Sequence, residues 1–535
     1  METQTAPARN WFKPSILILL VVLLLASLAL VGIYLIKNAN KEPKEKVLTG
    51  LTRDKITIGS SVIVLGVFPE SAAETRDIDF NNNIFDGLTR VINGEVKGAL
   101  ATSWTNPDKT TWRFTLRKGV KFHNGDPFTA ADLKFSIDQA IAKEWPDTSY
   151  LITIKSVEIV DNFTVDIKTA SPDPVLLARL ANVPIVSEKQ YKSKKADEQA
   201  VGTGPYKFVS LDDKEGVLEA NESWYLGTPK VKKVVYKFYP VDTTDEQMAQ
   251  ALRRDEVDLI VLQEEKVVNS LKNDFQVKSS TGLEIRILWL DAAREKSPYV
   301  DKVPNPLKNK LVRQAIYKAI DTNEIIKEQG ISTEPPSQLV TEGVFGYNPN
   351  IKRPKKSLEE ARNLMEQAGM TGGFSMTLDT PEGVVKTANA IAKNLKEINI
   401  NVKVNPITKD TGFGKVTSGD SSAFMLSYTA DILDSGDVFA DLLHTPTSNF
   451  GSSNFFSYSN SEIDKLAEEA SSIFEPKKRL PKLQEAMVKA MEELPLIPLF
   501  QQKTFWVIRN NFDWTPTALG VISSNEISGR EVTTK

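Results

Sequence analysis

The side chains that most often carry covalent or metal chemistry are scarce in this sequence. It has 535 residues, no cysteine and only two histidines, His123 and His444. Without thiols the chain cannot form disulfides, iron–sulfur clusters, cysteine zinc sites, a cysteine nucleophile or a lipidated cysteine anchor. Two isolated histidines also argue against a metal site with several histidine ligands. We therefore predict no resident metal and no other cofactor.

Enzyme motifs are equally scarce. The sequence has no G-x-S-x-G, H-E-x-x-H or G-x-x-x-x-G-K-[ST] pattern, which argues against serine hydrolases, zinc proteases and P-loop ATPases. Its 66 Lys and Arg and 69 Asp and Glu leave a net charge of −3, and a surface for nucleic-acid phosphates would need a clustered excess of basic residues. We predict a protein that is not an enzyme and has no nucleic-acid partner; a membrane-anchored hydrolase is the enzymatic alternative.

One uncharged apolar stretch begins at Ile16 and ends at Ile36. As a helix it would span roughly 30 Å, the thickness of the hydrocarbon core of a bilayer. A cleaved secretory signal is the alternative, with Ser27-Leu28-Ala29 as a small-x-small cleavage site, but apolar residues continue well past Ala29. We predict a single-pass transmembrane anchor, and the N-terminal organisation is then a cytoplasmic tail at 1–14, the anchor at 15–36 and a polar linker at 37–50.

The remainder of the chain mixes strand and helix patterns. Alternation with a period of two predicts strands at 55–59, 111–116, 163–167 and 231–239. Apolar residues at helical spacing predict helices at 129–141, 244–254, 308–320, 357–368, 385–398, 461–473 and 476–493. These patterns indicate an α/β fold with several lobes.

The densest motif lies at residues 98–141. It reads L-A-x-S-W, then F-T-L-R-x-G-V-x-F-H-x-G-x-P-F-T-A-x-D-L-x-F-S, with an Asn124-Gly125 turn and a helix that starts after Thr129. These residues resemble the family 5 extracellular solute-binding proteins, which are the peptide, dipeptide and nickel receptors of bacterial ABC importers. Segments resembling further family motifs follow in the same order at 201–208, 309–321, 458–464 and 495–500. The resemblance covers about residues 50–520.

The resemblance implies a two-lobed periplasmic-binding-protein-like fold of type II, in its large form with an extra subdomain. Lobe I would comprise residues 51–93, 204–283 and 503–535, the inserted subdomain 94–203, and lobe II 284–502. Ligand would bind between lobes I and II, and a hinge at two crossover strands would close the cleft. We expect an extracytoplasmic monomer that is held by the membrane anchor and delivers ligand to ABC permease subunits.

The resemblance also marks ligand-binding candidates. Residues 424–439 resemble the family segment S-G-W-x-A-D-x-x-D-P, in which an aspartate pairs with the α-amino group of a bound peptide. Asp431 aligns with that aspartate, Tyr428 with the tryptophan and Asp434 with the second aspartate. A carboxylate in a closed cleft favours a ligand that brings its own cation. A solvated or capping role in the loop is the structural alternative for Asp431.

Two further candidates, Trp289 and Asp291, lie in a segment that resembles the L-x-F-N strand of the family. Trp289 would either flank the cleft or fill the core. His123 belongs to the turn of the long motif, so we expect a structural role for it. The expected ligand is a short oligopeptide; a nickel chelate, and peptide sensing or chaperoning without transport, are the alternatives.

Overall fold

A ten-stranded mixed β-sheet runs through the computed structural model, which describes residues 54–530 except 65, 72–78, 93, 194–199, 330–332, 334 and 518. Its strands and those of three smaller sheets are, in chain order, β1 (Lys55–Ser60), β2 (Thr89–Ile92), β3 (Glu95–Gly98), β4 (Ala101–Asp108), β5 (Thr111–Leu116), β6 (Ile154–Asp161), β7 (Thr164–Thr169), β8 (Tyr206–Leu211), β9 (Glu215–Ala220), β10 (Lys233–Phe238), β11 (Leu259–Leu262), β12 (Gln276–Leu290), β13 (Phe374–Pro381), β14 (Ile400–Ile407), β15 (Ala423–Thr429), β16 (Leu496–Ile508), β17 (Phe512–Asp513) and β18 (Ser528–Gly529).

The α-helices of the same residues are α1 (Ala130–Ala142), α2 (Leu176–Arg179), α3 (Glu188–Tyr191), α4 (Asp245–Arg253), α5 (Glu265–Asn269), α6 (Lys310–Ala319), α7 (Thr322–Gln329), α8 (Leu358–Gln367), α9 (Val385–Lys396), α10 (Lys409–Thr417), α11 (Ser461–Ser471) and α12 (Pro476–Glu493). The seven helices and four strands predicted from apolar spacing are thus confirmed, with ends that differ by a few residues.

Two long antiparallel strands, β12 and β16, join the two halves of the large sheet. The strand order is β14-β13-β15-β12-β16-β11-β1-β10-β9-β8. Strand β12 pairs with β16 from Gln276 opposite Ile508 to Trp289 opposite Leu496, with register shifts near the middle. At one end β16 also pairs with β11, and at the other end β12 also pairs with β15. Each long strand therefore belongs to both half sheets.

The half sheet β11-β1-β10-β9-β8 is formed by residues assigned to lobe I, and the half sheet β15-β13-β14 by residues assigned to lobe II. A separate antiparallel sheet, β4-β5-β7-β6, is formed by residues that the sequence assigns to the inserted subdomain. In lobe II, β13 pairs in parallel with both β14 and β15, and α9 connects β13 to β14. This connection has the arrangement of a βαβ unit.

The lobe II sheet is buried on both faces. Leu288 and Met425 belong to the hydrophobic cluster on one face, whereas Trp289 and Phe424 belong to the cluster on the other. Strands covered on both faces consist of nearly continuous apolar runs. The end of β12 therefore shows no apolar–polar alternation.

The long motif folds as a turn followed by a helix. Gly125 has a φ of +88°, and the Phe122 N–H donates to the Asp126 carbonyl oxygen at 2.8 Å. A positive φ suits glycine because it has no Cβ. Helix α1 begins after Thr129, whose backbone N–H donates to Asp132 Oδ2 at 2.9 Å. This bond is the reciprocal half of a capping box.

No helix among the described residues is both long enough and apolar enough to cross a membrane. The predicted anchor at 15–36, the tail at 1–14 and the linker at 37–50 lie outside the described residues.

Candidate functional site

The loop after β15 carries the residues for which the sequence most strongly predicts ligand binding. Its backbone turns at Leu433, which has a φ of +57°. A neighbouring segment of lobe II holds the turn on both sides of Asp434: the Phe345 N–H donates to the Leu433 carbonyl at 2.9 Å, and the Ser435 N–H donates to the Phe345 carbonyl at 2.8 Å. The path of this loop is therefore set by backbone hydrogen bonds.

Gly346 permits this close approach. It has a φ of +97°, and a Cβ at this position would lie 1.8 Å from Ser435 Oγ. After the loop, the chain enters a π-helix at Val438–Leu443, a rare element that is frequent at functional sites. The π-helix and the loop bring Asp437 and Asp441 into electrostatic contact with Tyr428.

Four side chains form what we call the acidic cluster: Tyr428, Asp431, Asp437 and Asp441. The Tyr428 hydroxyl donates to Asp437 Oδ2 at 3.1 Å. Burial raises the pKa of Tyr428 well above its ordinary value, and the charges of the three aspartates raise it further. Burial also raises the pKa of Asp441, although a hydrogen bond from Ser452 partly offsets this effect. The cluster is a concentration of negative charge with restricted access to water.

The inserted subdomain contacts this cluster at two points. Tyr150 donates its hydroxyl hydrogen to Asp431 Oδ2. Burial raises the pKa of Asp431; the hydrogen bond from Tyr150 lowers it in part, and the charge of Asp437 raises it. Arg179 donates through Nη2 to Asp437 Oδ1 at 2.8 Å. Both contacts join residues that are more than 250 positions apart in the chain.

Arg179 bridges two carboxylates. Its Nη1 donates to Asp173 Oδ2 at 2.8 Å within the inserted subdomain, while Nη2 contacts Asp437 in lobe II. Burial alone would lower the pKa of Arg179, but the charges of Asp173 and Asp437 outweigh it and raise that pKa. A third contact between the inserted subdomain and lobe II is apolar: the ring centroid of Trp112 lies 5.6 Å from that of Phe474 in lobe II.

Of the predicted site residues, the structure brings Asp431 and Tyr428 together in the acidic cluster and places Trp289 elsewhere. Trp289 is 3% exposed and belongs to the lobe II core. Its ring stacks on Phe424 with centroids 5.1 Å apart, and Phe455 lies at 5.7 Å. This packing favours the core alternative for Trp289.

Asp291 and Asp434 are not members of the cluster, and both are engaged by neighbouring protein groups. Asp291 is fully buried and accepts hydrogen bonds from Arg294 Nε and Ser297 Oγ, each at 2.6 Å. Both Nη atoms of Arg479 donate hydrogen bonds to the carboxylate of Asp434, one at 2.9 Å. Asp434 lies at the centre of the turn that the backbone of Phe345 holds. These contacts favour structural roles for both carboxylates.

Sequence reasoning missed Tyr150, Arg179 and Asp437 as members of the site. One signal was available for Arg179, because it is a single charge inside the apolar run at 175–186. A charge in such a run is rarely buried without a partner. The sequence could not indicate that the partner lies in another lobe.

Both histidines have both ring nitrogens in hydrogen bonds with the protein. His123 contacts the Gly204 carbonyl and the Gly202 N–H. His444 contacts the Thr445 carbonyl and Glu468. In addition, no group of three or more His, Cys, Asp or Glu residues within the described part of the chain is arranged to hold a metal ion.

Comparison with known proteins adds a family match. Residues 95–450, more than half of the chain, match the profile described as bacterial extracellular solute-binding proteins, family 5 Middle. The chain is 26% identical over 505 residues to heme-binding protein A of Haemophilus influenzae, covering 86% of this chain and 90% of that protein. It is 24% identical over 511 residues to di/tripeptide-binding protein 1 of Pseudomonas aeruginosa, covering 86% and 91% of the two chains.

A solved structure shares the fold. The ABC transporter-associated periplasmic binding protein DppA from Helicobacter pylori, in complex with the peptide STSA, matches with a TM-score of 0.74. The identity is 24%, and the match covers 90% of this chain and 99% of that chain. This likeness confirms the mixed α/β, two-lobed periplasmic-binding-protein fold that the sequence predicts.

Proposed function

Because this chain belongs to the bacterial extracellular solute-binding proteins of family 5, we propose that it captures short peptides between lobes I and II and delivers them to an ABC permease. The observation that carries the peptide assignment is the acidic cluster around Asp431. In this proposal, the Asp431 carboxylate pairs with the α-amino group of the peptide, and Tyr428 and Asp437 complete the surroundings of that ammonium group.

The electrostatics of the cluster support a cationic ligand group. Buried carboxylates are costly unless a cation or hydrogen-bond donors compensate them. Asp431 accepts one hydrogen bond from Tyr150, and Arg179 compensates the negative charge of Asp437. Burial keeps the pKa of Asp431 raised despite the Tyr150 bond. A bound ammonium group would stabilise the ionised form of Asp431 and thereby gain affinity.

The relatives do not decide the ligand by name, since two of similar identity are called heme-binding and di/tripeptide-binding. The donor groups of this chain favour the peptide. His123 and His444 each use both ring nitrogens within the protein, so neither is available as an iron or nickel ligand without rearrangement. An ammonium group, by contrast, needs only acceptors, which the cluster supplies.

Closure of the lobes would involve the contacts that Tyr150 and Arg179 make with lobe II. Strands β12 and β16 belong to both half sheets and are suited to act as the hinge. Tyr150 and Arg179 reach lobe II from the inserted subdomain at Asp431 and Asp437. A ligand that contacts both lobe I and lobe II would favour the closed arrangement.

The first experiment compares Asp431→Asn with the matched control Asp213→Asn, which removes one carboxylate from an exposed turn of lobe I. Calorimetry with short peptides should show about 30-fold weaker binding or more for Asp431→Asn when the peptide has a free N-terminus. Binding of N-acetylated peptides should change little. Equal loss for both peptide types would assign Asp431 a structural role, and absence of peptide binding by the wild type would refute the peptide assignment.

We also infer that residues 15–36 anchor the protein, with the solute-binding lobes on the extracytoplasmic side. The support is the uncharged apolar stretch from Ile16 to Ile36. A variant that lacks residues 1–50 should move from the membrane fraction to the soluble fraction and keep its peptide affinity. Peptide uptake into vesicles that contain the permease should then require the anchored form; binding without uptake would favour the sensing or chaperone alternative.

A further inference from the structure

The inserted subdomain shares a hydrophobic core with lobe I. One cluster of buried side chains contains Ile56 and Tyr236 from residues assigned to lobe I, and Phe114 and Leu133 from residues assigned to the inserted subdomain. Protein interiors are close-packed and resist deformation. The inserted subdomain should therefore move together with lobe I when the cleft opens or closes.

Lobe II contacts this shared core through one aromatic side chain. Phe474 lies between α11 and α12, is half-buried, and packs against the core of the other two parts. Its nearest aromatic neighbour in the inserted subdomain is Trp112, and the two ring planes are tilted by 54°. Aromatic pairs at such distances attract one another in addition to the area that they bury. This contact can hold lobe II only while the two parts are together.

The polar contact beside it is prepared on the side of the inserted subdomain. The carboxylate that holds Arg179 belongs to Asp173, which is 2% exposed. Asp173 is itself fixed, because it accepts hydrogen bonds from Thr153 Oγ1 at 2.6 Å and from the Val175 N–H at 3.1 Å. A side chain that is already ordered loses less entropy when it pairs. Arg179 is thus ready to meet Asp437.

The ion pair between Arg179 and Asp437 can also break without leaving either charge alone. If the two parts separate, Arg179 keeps its bond to Asp173, and Asp437 keeps the hydrogen bond from the Tyr428 hydroxyl. A buried charge that loses its only partner is strongly destabilising. Because each charge here keeps a partner within its own part, the pair is suited to repeated opening and closing.

We propose that Trp112 and Arg179 of the inserted subdomain form a clasp with Phe474 and Asp437 of lobe II, and that this clasp sets how long a bound ligand is retained. The extra subdomain then has a role of its own, since it retains the ligand through contacts with lobe II rather than with the ligand. The inference rests on the proposed peptide function for the identity of the ligand, whereas the clasp itself can be tested without one.

The first test measures the distance between the two parts in the absence of ligand. Because the chain has no cysteine, Glu158→Cys on β6 and Lys465→Cys on α11 introduce one exposed spin-labelling site in each part. Double electron–electron resonance on the labelled full chain in detergent gives the distribution of distances between the labels. The labelled parent should show a dominant short-distance population.

Two variants remove the two halves of the clasp separately. Phe474→Ala and Asp437→Asn should each lower the ratio of the short-distance to the long-distance population about fivefold. Asp437→Asn changes only a charge, so it keeps the test valid if Phe474→Ala fails to fold. The matched control is Phe450→Ala, which removes a half-buried ring that stacks on His444 within lobe II, and its distances should equal those of the labelled parent.

The second measurement follows dissociation of a peptide with a free N-terminus by stopped flow. Phe474→Ala leaves the acidic cluster intact, so it should raise the dissociation rate constant about fivefold and change the association rate constant little. If both variants keep the distances of the labelled parent, or if the distances change but the dissociation rate does not, the proposed role of the clasp is refuted while the proposed function stands. If the wild type binds no peptide, the proposed function fails, and the distances alone decide whether the clasp exists.

Discussion

Protonation of His123 should destabilise the fold, because the folded protein uses both ring nitrogens of the neutral imidazole. The ring accepts the Gly202 N–H at Nδ1, over 3.3 Å, so Nε2 carries the proton and donates to the Gly204 carbonyl at 3.0 Å. Burial lowers the pKa of His123 to about 4, although the bond to Gly204 raises it in part. A second proton on the ring would remove the acceptor that the Gly202 N–H needs.

The sign of the effect follows from the two pKa values. The unfolded chain has a histidine pKa of about 6.5, so between pH 6.5 and 4 the unfolded state binds a proton that the folded state does not. The stability contributed by the neutral ring is complete above about pH 6.5 and is lost as the pH falls toward 4. The full difference corresponds to about 3 kcal/mol, of which about 2 kcal/mol is lost between pH 7.5 and 5.0.

The perturbation is His123→Gln, which keeps a donor and an acceptor but does not titrate. Urea unfolding, followed by circular dichroism at pH 7.5, 6.0 and 5.0, gives the free energy of unfolding of each protein. The stability advantage of wild type over the variant should shrink by about 2 kcal/mol across this range. Lys121→Gln, an exposed change in the same turn, should leave the pH dependence unchanged. An advantage that stays constant with pH would show that the folded protein protonates His123 at its ordinary pKa and that burial does not lower this pKa.

Three further predictions concern the site and the core. Because burial raises the pKa of Asp431, affinity for peptides with a free amino group should fall on acidification at a pH where an ordinary carboxylate stays ionised. Calorimetry from pH 7.5 to 5.0 tests this prediction, and the affinity of Asp431→Asn should not change over this range. Trp289→Ala should cost about 3–5 kcal/mol in urea unfolding, whereas Trp289→Phe should cost much less because a ring still stacks in the core. Gly346→Ala should cost about 2 kcal/mol or more, since its φ is positive and its Cβ would clash with Ser435 Oγ. Ser435→Ala in the same protein should restore part of that loss, and no recovery would argue that backbone strain alone is responsible.

Local sequence patterns predicted elements well because their causes are local. Helix α1 follows Thr129 and Asp132, which form most of the capping arrangement within four residues. The turn at Asn124-Gly125 follows from the preference of glycine for positive φ. Neither feature needs information from a distant part of the chain.

Site residues were harder to predict where the deciding contact is distant or the pattern is ambiguous. Trp289 lies where β12 is covered on both faces, so its residues do not alternate and the sequence cannot show which face a side chain occupies. Resemblance to the family motif predicts Asp431 and Tyr428 as ligand-binding residues. Their partners in the inserted subdomain, Tyr150 and Arg179, become neighbours only through the tertiary fold.

The position of β16 has a consequence for biosynthesis. In the large sheet this strand lies between β12 and β11, yet it is formed by residues 496–508, which come far later in the sequence than either neighbour. Until these residues emerge from the ribosome or the export channel, the two half sheets share no paired strand, and β11 and β12 expose unpaired edges. Exposed edges promote aggregation. The large sheet therefore cannot be completed until residues 496–508 are available, and a product truncated before residue 496 would be a substrate for proteolysis.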